Sequence, residues 1–485
     1  MKKVWEELLD RVKNSGDVTP GNKAGLIEFL ENEHPGDVLF TKWTNPPIIS
    51  KGKGSRIWDV DGKEYIDCIS GMSCMNIGHG DQRVAEVMRN QYVNELDNWF
   101  DFPTPERLRL VQRLIDISPG DFRKRVRLAL SGSDAVENAI RLARFHTKKT
   151  QIICFYGGYH GQNTATMGLT GAGSMHRWYD TVASADHGIE RFPYAYCYRC
   201  PYDKELATCD MHCVKIIDDL MCSGQTSMGN YNAGYCNVAA MIVEPAQSSS
   251  GYIVPPIEFL QALRKLADKH GFLLIFDEIQ TGMGRTGKMF SCEHNGVAPD
   301  ILVIGKALGA GIPMSAIVGR AELFEDTAPG FICSTYAGYS MGCAVGNKVL
   351  DIIEEDNMLE TCTQTGEYLE TVLQSFMDRH PMMGSYSRQG LFFGVEMVRD
   401  RQTKEPAAKE TLEIVDTARE LGLLVQWNGY YMNRISFIPP INILPSDIDE
   451  IFKVFEAAVS KIETKYGMKS AQPYVVAMPV PGAPA

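Results

Sequence analysis

Short apolar runs alternate with amphipathic segments from about residue 125 of the chain. RVRLAL is followed by SGSDAVENAIRLARFH, whose apolar positions 135, 136, 139, 140 and 143 fall on one helical face. QIICFYGG and AAMIVEP are further strand-like runs, and IEFLQALRKLADKHG predicts an amphipathic helix that ends at Gly271. FLLIFDE and ILVIGKA complete the series. Because strands alternate with helices, the chain predicts an α/β fold with a mostly parallel sheet covered by helices.

The pattern differs toward both ends of the chain. A Val-Asp-Gly-Lys turn separates two strand-like runs near residue 60, which predicts a β-hairpin or meander. After about residue 340 a helix is followed by strands and then by further helices. We therefore predict a large domain over residues 70–340, and a smaller α+β domain assembled from residues 1–69 and 341–470.

Composition and charge narrow the class of protein. The 485 residues are 44% hydrophobic and 22% charged, which is enough to bury a large core. A net charge of −12, with no basic patch interleaved with aromatics, argues against nucleic-acid binding. No apolar run approaches the roughly 20 residues of a membrane helix, and the charged start predicts an amphipathic helix rather than a signal peptide. We predict a cytoplasmic protein without nucleic-acid or membrane partners. The Ala/Pro/Val-rich residues 471–485 predict a flexible tail.

Two of the apolar runs end in a single charged residue. LLIFD ends at Asp277, and ILVIGK ends at Lys306. A desolvated charge is costly unless it is paired, and both residues would reach the same edge of a parallel sheet, where α/β folds bind ligands. A lysine beside an acid at such an edge suits Schiff-base chemistry, although an ordinary salt bridge is the alternative.

Two further segments have the composition of a ligand site. Ser131-Gly132-Ser133-Asp134 lies between a strand and a helix, where free amides and hydroxyls hold phosphates; an ordinary helix cap is the alternative. Gly157-Gly158-Tyr159-His160-Gly161 follows another strand, and its aromatic ring could stack on a flat ligand or lie at the surface of a turn. His160 by itself is typical of a structural histidine.

Together these residues fit pyridoxal 5'-phosphate (PLP) better than they fit unrelated structural roles. The cofactor needs a phosphate cup, a stacking ring, an anion at its pyridine nitrogen and a lysine for its aldehyde. GMGRTG at 282–287 matches the dinucleotide-binding pattern, but that pattern needs a helix starting inside it, and KMFSCEHNG predicts none. An NAD-dependent oxidoreductase using this segment is therefore disfavoured.

The motifs SGSDAVENAIRLAR, YGGYHG, IVEPAQ, FDEIQTGMGRTG and GKALGAGIPMSAIVGR resemble, in order and spacing, the class III (ω-amino acid) aminotransferases of PLP fold type I. The resemblance covers nearly the whole chain. It implies a Schiff-base Lys306, Asp277 at the pyridinium, and a homodimer or dimer of dimers. The other residues that it implies are Ser131, Gly132 and Ser133 at the phosphate, Tyr159 on the ring, Gln280 at the phenolic oxygen, Glu244 near the ring, Thr335 at the neighbouring subunit's phosphate, and Arg388 as a clamp for an α-carboxylate. Trp58 is a further candidate for substrate binding.

The chain departs from the family pattern in two places. Where many relatives have GGNP, it reads Ala337-Gly338-Tyr339-Ser340, and this tyrosine could reshape the substrate entrance. The second departure is a cysteine-rich insertion at 195–236. Its spacing C-x2-C-x8-C-x3-C resembles a zinc or iron–sulfur ligand set, but the eight-residue gap is shorter than common zinc modules use, and free or paired thiols are the alternative. The cysteines concerned are Cys197, Cys200, Cys209 and Cys213, followed by Cys222 and Cys236.

We therefore predict a PLP-dependent aminotransferase with a ping-pong mechanism. The donor is an ω-amino acid or primary amine, and the acceptor is an α-keto acid such as pyruvate or 2-oxoglutarate. Racemases, epimerases, decarboxylases and lyases on the same scaffold share the cofactor residues and remain open. A non-catalytic protein that uses the insertion for binding or metal storage is disfavoured by the intact pair of Asp277 and Lys306.

Overall fold

A seven-stranded sheet forms the centre of the computed structural model, which describes residues 2–32, 45–99, 102–172 and 188–468. The predicted tail at 471–485 lies outside the described residues. The strands are β1 (Ile49–Lys53), β2 (Arg56–Asp59), β3 (Glu64–Asp67), β4 (Lys124–Ala129), β5 (Gln151–Phe155), β6 (Ile189–Phe192), β7 (Gly229–Asn230), β8 (Tyr235–Cys236), β9 (Val238–Val243), β10 (Leu273–Asp277), β11 (Ile301–Ile304), β12 (Ser315–Arg320), β13 (Met383–Gln389), β14 (Phe392–Asp400), β15 (Glu405–Pro406), β16 (Leu423–Leu424), β17 (Gln426–Asn428) and β18 (Arg434–Phe437).

The helices flank these strands in the alternation that the sequence predicts. They are α1 (Lys2–Asn14), α2 (Pro20–Asn32), α3 (Gln82–Asn94), α4 (Pro105–Ile117), α5 (Gly132–Thr147), α6 (Thr164–Leu169), α7 (His212–Ser223), α8 (Ile257–His270), α9 (Glu322–Glu325), α10 (Ser340–Glu355), α11 (Met358–Arg379), α12 (Ala408–Glu420) and α13 (Pro445–Lys465). As predicted, α1 covers the start of the chain, and α8 ends at Gly271, which adopts a left-handed φ of 65°.

The central sheet has the strand order β4-β12-β11-β10-β9-β5-β6. The neighbours β11, β10, β9, β5 and β6 are parallel, whereas β12 runs antiparallel to both β11 and β4. Every residue of β9 is buried, which is the pattern of a strand covered on both faces. On one face α5 packs the apolar positions predicted from its sequence: Ala135, Val136, Ala139, Ile140 and Ala143 are all buried. The mostly parallel α/β sheet is confirmed.

The two ends of the chain come together in smaller sheets. Strands β1, β2 and β3 form the predicted antiparallel meander, and β16 from the C-terminal part pairs parallel with β3. A second sheet joins β13, β14, β18 and β17, with β15 paired to β14. This is the α+β arrangement built from both chain ends that the pattern predicts. The residue bounds of the two domains stay predictions.

The topology brings three strand ends to one edge of the central sheet. Strands β9, β10 and β11 are parallel neighbours, with Phe276 in register with Val243 and Asp277 in register with Val303. The residues that leave these strands therefore meet at a single carboxyl edge, the usual ligand site of α/β sheets.

The glycine-rich segment 282–287 does not begin a helix. It folds as turns, and a short 3₁₀ helix (Ser291–Asn295) follows it. This agrees with its rejection as a dinucleotide-binding motif. Within the described ranges, none of the helices combines the length and apolar character that crossing a bilayer requires.

Candidate active site

Lys306 begins a short 3₁₀ helix (Lys306–Gly309) immediately after β11 and Gly305. Its backbone adopts a left-handed φ of 46°, which costs a non-glycine residue about 1–2 kcal/mol and is typical of functional positions. Nζ donates to Oε1 of Gln280 at 2.7 Å. Burial lowers the pKa of Lys306 from its ordinary value, although Asp277 and Glu244 act in the opposite direction. The neutral amine, the nucleophilic form, is thereby favoured.

Asp277 is the last residue of β10, and its side chain is only 4% exposed. Oδ2 lies 2.8 Å from Nδ1 of His160, and Oδ1 accepts from the amide of Ile279 at 3.1 Å. Because a carboxylate can only accept, Nδ1 carries the proton of this histidine. The amide of His160 in turn donates to Oγ1 of Thr170 at 3.0 Å. His160 is thus structural, as its sequence suggests, but the group that it holds is the predicted partner of the pyridine nitrogen.

Glu244 follows β9 directly and is buried. Its Oε1 accepts from the amide of Tyr159 at 2.9 Å, and Oε2 accepts from the amide and the hydroxyl of Ser248 at 3.0 and 2.5 Å. Burial raises the pKa of Glu244. Glu244 therefore fixes the backbone of the GGYHG loop from the strand edge, and with it the position of the Tyr159 ring.

The N-terminus of α5 faces the same edge of the sheet. Oγ of Ser131 accepts from the amide of Asp134 at 3.2 Å, so the predicted cap is present, and Oγ of Ser133 accepts from the amide of Gln162 at 3.3 Å. A Cβ on Gly132 would lie 2.8 Å from Cδ1 of Ile279, and one on Gly161 would lie 2.3 Å from Oγ of Ser133. The left-handed φ of 117° favours glycine at position 161, where this helix end meets the loop, and the first amides of a 16-residue helix suit an anion.

Three of the predicted site residues do not contact the cluster of Lys306, Asp277 and Glu244 at the edge of the sheet. Nε of Arg388 donates to Oε2 of Glu370 on α11 at 2.7 Å. The preceding residue, Ser387, points to the other face of β13 and donates to the carbonyl of Tyr252. Trp58 lies in β2, where the amine of Lys51 sits 5.0 Å over its ring, and Thr335 is exposed. Their roles in binding stay predictions, and a clamp by Arg388 requires its side chain to leave Glu370.

Sequence reasoning missed two parts of the site. Oη of Tyr252 accepts from Nε2 of Gln280 at 2.7 Å and donates to Oε1 of Gln426 at 3.1 Å, which extends the network behind Lys306. The turn Ser70–Ser73 has four consecutive left-handed φ values, and Oγ of Ser73 donates to the carbonyl of Gln280 at 3.3 Å. The only signals in the sequence were the Ser-Gly-Tyr and Ser-Gly-Met runs, which are too common to identify a site.

Two arginines of this region should differ strongly in their contribution to stability. Arg434 is fully buried and donates to Oε2 of Glu396 at 2.9 Å, whereas Glu370, the partner of Arg388, is 44% exposed. We expect Arg434→Met to lower the free energy of unfolding by about 3–5 kcal/mol, because the buried Glu396 keeps only one of its two arginine partners, Arg199, and two buried backbone carbonyls lose their donor. Arg388→Met, the matched control, should cost about 0–1 kcal/mol.

Urea unfolding followed by circular dichroism measures both changes. Equal losses in the two variants would contradict the assignment. The same Arg388 variant tests the carboxylate clamp: the observed pairing predicts an unchanged KM for the keto acid, whereas a rise of tenfold or more would support the clamp.

Comparison with known proteins identifies the family. The model of the family described as Aminotransferase class-III matches residues 40–459, which is most of the chain. The chain belongs to the class III aminotransferase family. This confirms the resemblance read from the motifs.

Curated relatives of this class III aminotransferase match it over most of their own lengths. The leucine/methionine racemase of Thermococcus litoralis is 35% identical over 422 residues, which cover 87% of this chain and 92% of that protein. The 5-aminovalerate aminotransferase of Pseudomonas aeruginosa is 35% identical over 407 residues, with 84% and 92% covered. The 4-aminobutyrate aminotransferase of Escherichia coli is 34% identical over 405 residues, with 83% and 91% covered.

Solved structures of transaminases share the fold. A transaminase obtained by ancestral reconstruction superimposes with a TM-score of 0.80 at 26% identity, and the match covers 95% of this chain and 99% of that chain. An amine transaminase from an uncultivated Pseudomonas species, in its PLP-bound form, gives a TM-score of 0.78 at 28% identity, with 89% and 98% covered. The chain therefore has the fold of PLP-dependent transaminases, as predicted.

PLP is the cofactor of this class III aminotransferase, and its residues fit the group. Lys306 offers an amine whose pKa is lowered by burial, and Asp277 offers a buried carboxylate. The glycines around Ser133 leave room at the N-terminus of α5 that a Cβ would fill. An amine, an anion and a helix N-terminus at one edge of the sheet are the chemical groups that PLP needs.

Proposed function

We propose that this enzyme transfers the amino group of an ω-amino acid or primary amine to an α-keto acid such as pyruvate or 2-oxoglutarate. The observation that carries the proposal is the amine of Lys306, held by Gln280 at 2.7 Å at the edge that Asp277 and Glu244 share. The cycle is ping-pong: the deaminated donor leaves before the keto acid binds.

The side chains divide the work of the reaction. PLP, when bound, is the electron sink that stabilises negative charge on the carbon bearing the amino group. Nζ of Lys306 accepts the proton from that carbon and delivers it again on the cofactor side, and its lowered pKa suits it to act as a base. Asp277, oriented by His160, keeps a negative charge at the proposed position of the pyridine nitrogen. Gln280, anchored by Tyr252, orients the amine of Lys306.

The substrate class rests on the relatives. Those named for 5-aminovalerate and 4-aminobutyrate act on ω-amino acids, and a taurine–pyruvate aminotransferase of Bilophila wadsworthia is 32% identical over 450 residues. All three named activities move a terminal amino group. An ω-amine donor for this chain is the simplest proposal that agrees with them.

A homodimer, or a dimer of such dimers, is part of the proposal. The family resemblance places Thr335 at the phosphate of the neighbouring subunit, and in the single chain Thr335 and Tyr336 are both exposed. Light scattering of the purified holoenzyme measures the assembly against the 54.0 kDa of one chain; a single-chain mass would contradict it.

Racemisation of an amino acid is the second candidate, because a relative as similar as the aminotransferases is a leucine/methionine racemase. Both reactions use a lysine that moves the proton of the substrate carbon, so Lys306 and Asp277 do not separate them. They differ in the fate of the amino group, which stays on the substrate in a racemase.

Single-turnover spectroscopy separates the two reactions. The PLP-loaded enzyme is mixed with 4-aminobutyrate, 5-aminovalerate, taurine or L-leucine, without keto acid. For an ω-amine we expect stoichiometric loss of the visible cofactor band, and its return when pyruvate or 2-oxoglutarate is added. An unchanged band with every ω-amine, together with conversion of L-leucine to D-leucine, would contradict transamination and support the racemase.

A further inference from the structure

Four cysteines of the insertion line one small cavity. The 3₁₀ helix Cys197–Arg199 forms one wall, and the segment leading into α7 forms another. The cavity has a volume of about 20 Å³, enough for a single water or ion. The lining residues that matter here are Cys197, Cys200, Cys209, Cys213, Lys204 and His212. Among the described residues that line the cavity there is no carboxylate.

We propose that Cys197, Cys200, Cys209 and Cys213 bind one Zn²⁺ ion through four thiolates. Sulfur ligands select Zn²⁺ and other soft or borderline ions over Ca²⁺ and Mg²⁺, which need oxygen ligands. A tetrathiolate zinc site carries two net negative charges, and Lys204 and His212 lie at the cavity that would hold it. The ion is structural, because four protein ligands leave no open position for a substrate.

The backbone brings the cysteines together in two pairs. Cys197 begins the 3₁₀ helix and Cys200 is the residue that follows its end, and both line the cavity. Between Cys209 and Cys213, both Asp210 and Met211 have left-handed φ values of 44° and 47°, and no side chain caps the start of α7. Left-handed φ is unfavourable for non-glycine residues, and a metal cross-link at both flanking cysteines would offset this cost.

The four thiols must move closer together to ligate the ion. All of them are free in the structure, and no three of the four Sγ atoms lie within 4.8 Å of one another. With Zn–S bonds of about 2.3 Å, the sulfurs of a tetrahedral site are about 3.8 Å apart. Rotation about χ1 moves each Sγ without moving the backbone.

The turn that carries Cys197 and Cys200 is connected to the core of the protein. Tyr196, which precedes Cys197, and Arg199, which precedes Cys200, both donate to the buried carboxylate of Glu396. Glu396 accepts from Arg434, whose Nε donates to the carbonyl of Gly251 at 2.5 Å, next to Tyr252. The turn that carries two of the four ligands is therefore connected by hydrogen bonds to the network behind Lys306.

A second group of potential ligands is a poorer candidate. Asp218, Cys222 and His270 lie within 4.8 Å of one another. However, Nζ of Lys269 lies 2.7 Å from both carboxylate oxygens of Asp218 and already supplies a cation there. Of this group, Cys222 is used in the control of the experiment below.

Metal analysis of the holoenzyme, purified without chelator, tests the proposal. We expect one equivalent of zinc per chain, and a drop of at least tenfold in Cys209→Ser/Cys213→Ser. The matched control is Cys222→Ser/Cys236→Ser, which removes two other cysteines of the same insertion and should keep the zinc. Circular dichroism and the visible PLP band establish that each variant is folded.

Replacing zinc with Co²⁺ in the wild-type protein gives a second test, which does not depend on whether the cysteine variants fold. Wild-type protein loaded with Co²⁺ should show the intense sulfur-to-cobalt and d–d absorption of a tetrahedral thiolate site, and the Cys222/Cys236 variant should show the same spectrum. Absence of stoichiometric zinc after reconstitution, stoichiometric iron in its place, or loss of metal only in the control variant would overturn the proposal. So would a thiol titration of metal-free denatured protein, without reductant, that finds fewer than all 13 cysteines, since that would indicate disulfides.

Discussion

Replacing Lys306 with alanine should lower kcat by about 10⁴-fold, the upper end of what a positioned proton-transfer group contributes. The substitution removes the amine that both attaches the cofactor and transfers the proton of the substrate carbon. Among the described residues, no other lysine is placed with Asp277, Glu244 and Gln280. Alanine inherits the left-handed φ of 46° that lysine already tolerates, so the fold should not change. Steady-state turnover of the best ω-amine and keto acid, at saturating PLP, measures the loss.

The exposed Lys288 provides the matched control. Lys288→Ala should keep wild-type kcat, and small amines such as methylamine should partly rescue Lys306→Ala but not raise the rate of the control. The lowered pKa of Lys306 adds a pH readout: since the neutral amine forms at lower pH than in free lysine, uptake of PLP by the wild-type apoenzyme should be half-maximal below pH 10.5. Turnover of Lys306→Ala at the wild-type rate would refute the assigned role.

The structural features that the sequence predicts correctly are those whose signal is local. Asp277 and Lys306 each end an apolar run, and a parallel sheet must bring such strand ends to a common edge. The buried face of α5 follows from helical periodicity alone. In these cases a single sequence contains both the pattern and the physical rule that interprets it.

What the sequence could not predict depends on contacts between distant residues. His160 is hydrogen-bonded to Asp277, which lies 117 residues further along the chain, and no local sequence pattern at either residue predicts this contact. Arg388 illustrates a second limit, because side chains alternate along a strand and a shift of one residue moves a side chain to the opposite face. A sequence motif that predicts the register of β13 only to within one residue therefore cannot decide whether Arg388 or Ser387 faces Tyr252.

Asp277→Asn should lower kcat by about 10²–10³-fold, the usual cost of removing one electrostatic contact to a developing charge. The proposed partner of Asp277 is the protonated pyridine nitrogen, and a neutral amide cannot hold that proton as a carboxylate does. Asparagine keeps the size of the side chain and can still accept from the amide of Ile279, but its Nδ2 would face Nδ1 of His160, so the variant removes the charge together with that hydrogen bond. kcat is measured at saturating PLP, with cofactor occupancy read from the visible band.

Asp300→Asn is the matched control because it makes the same substitution at the opposite end of the same strand pair. Asp300 precedes β11, is also buried, and accepts from Arg264 and Arg320 at 2.8 and 2.7 Å. Its loss should lower stability and leave kcat within about threefold of wild type, since pairs distant from the reacting atoms contribute no transition-state stabilisation. An equal fall in kcat in both variants would mean that a buried carboxylate of this sheet matters only for folding. A fall confined to Asp277→Asn, with full cofactor occupancy, requires that the charge at the end of β10 acts on the bound ring.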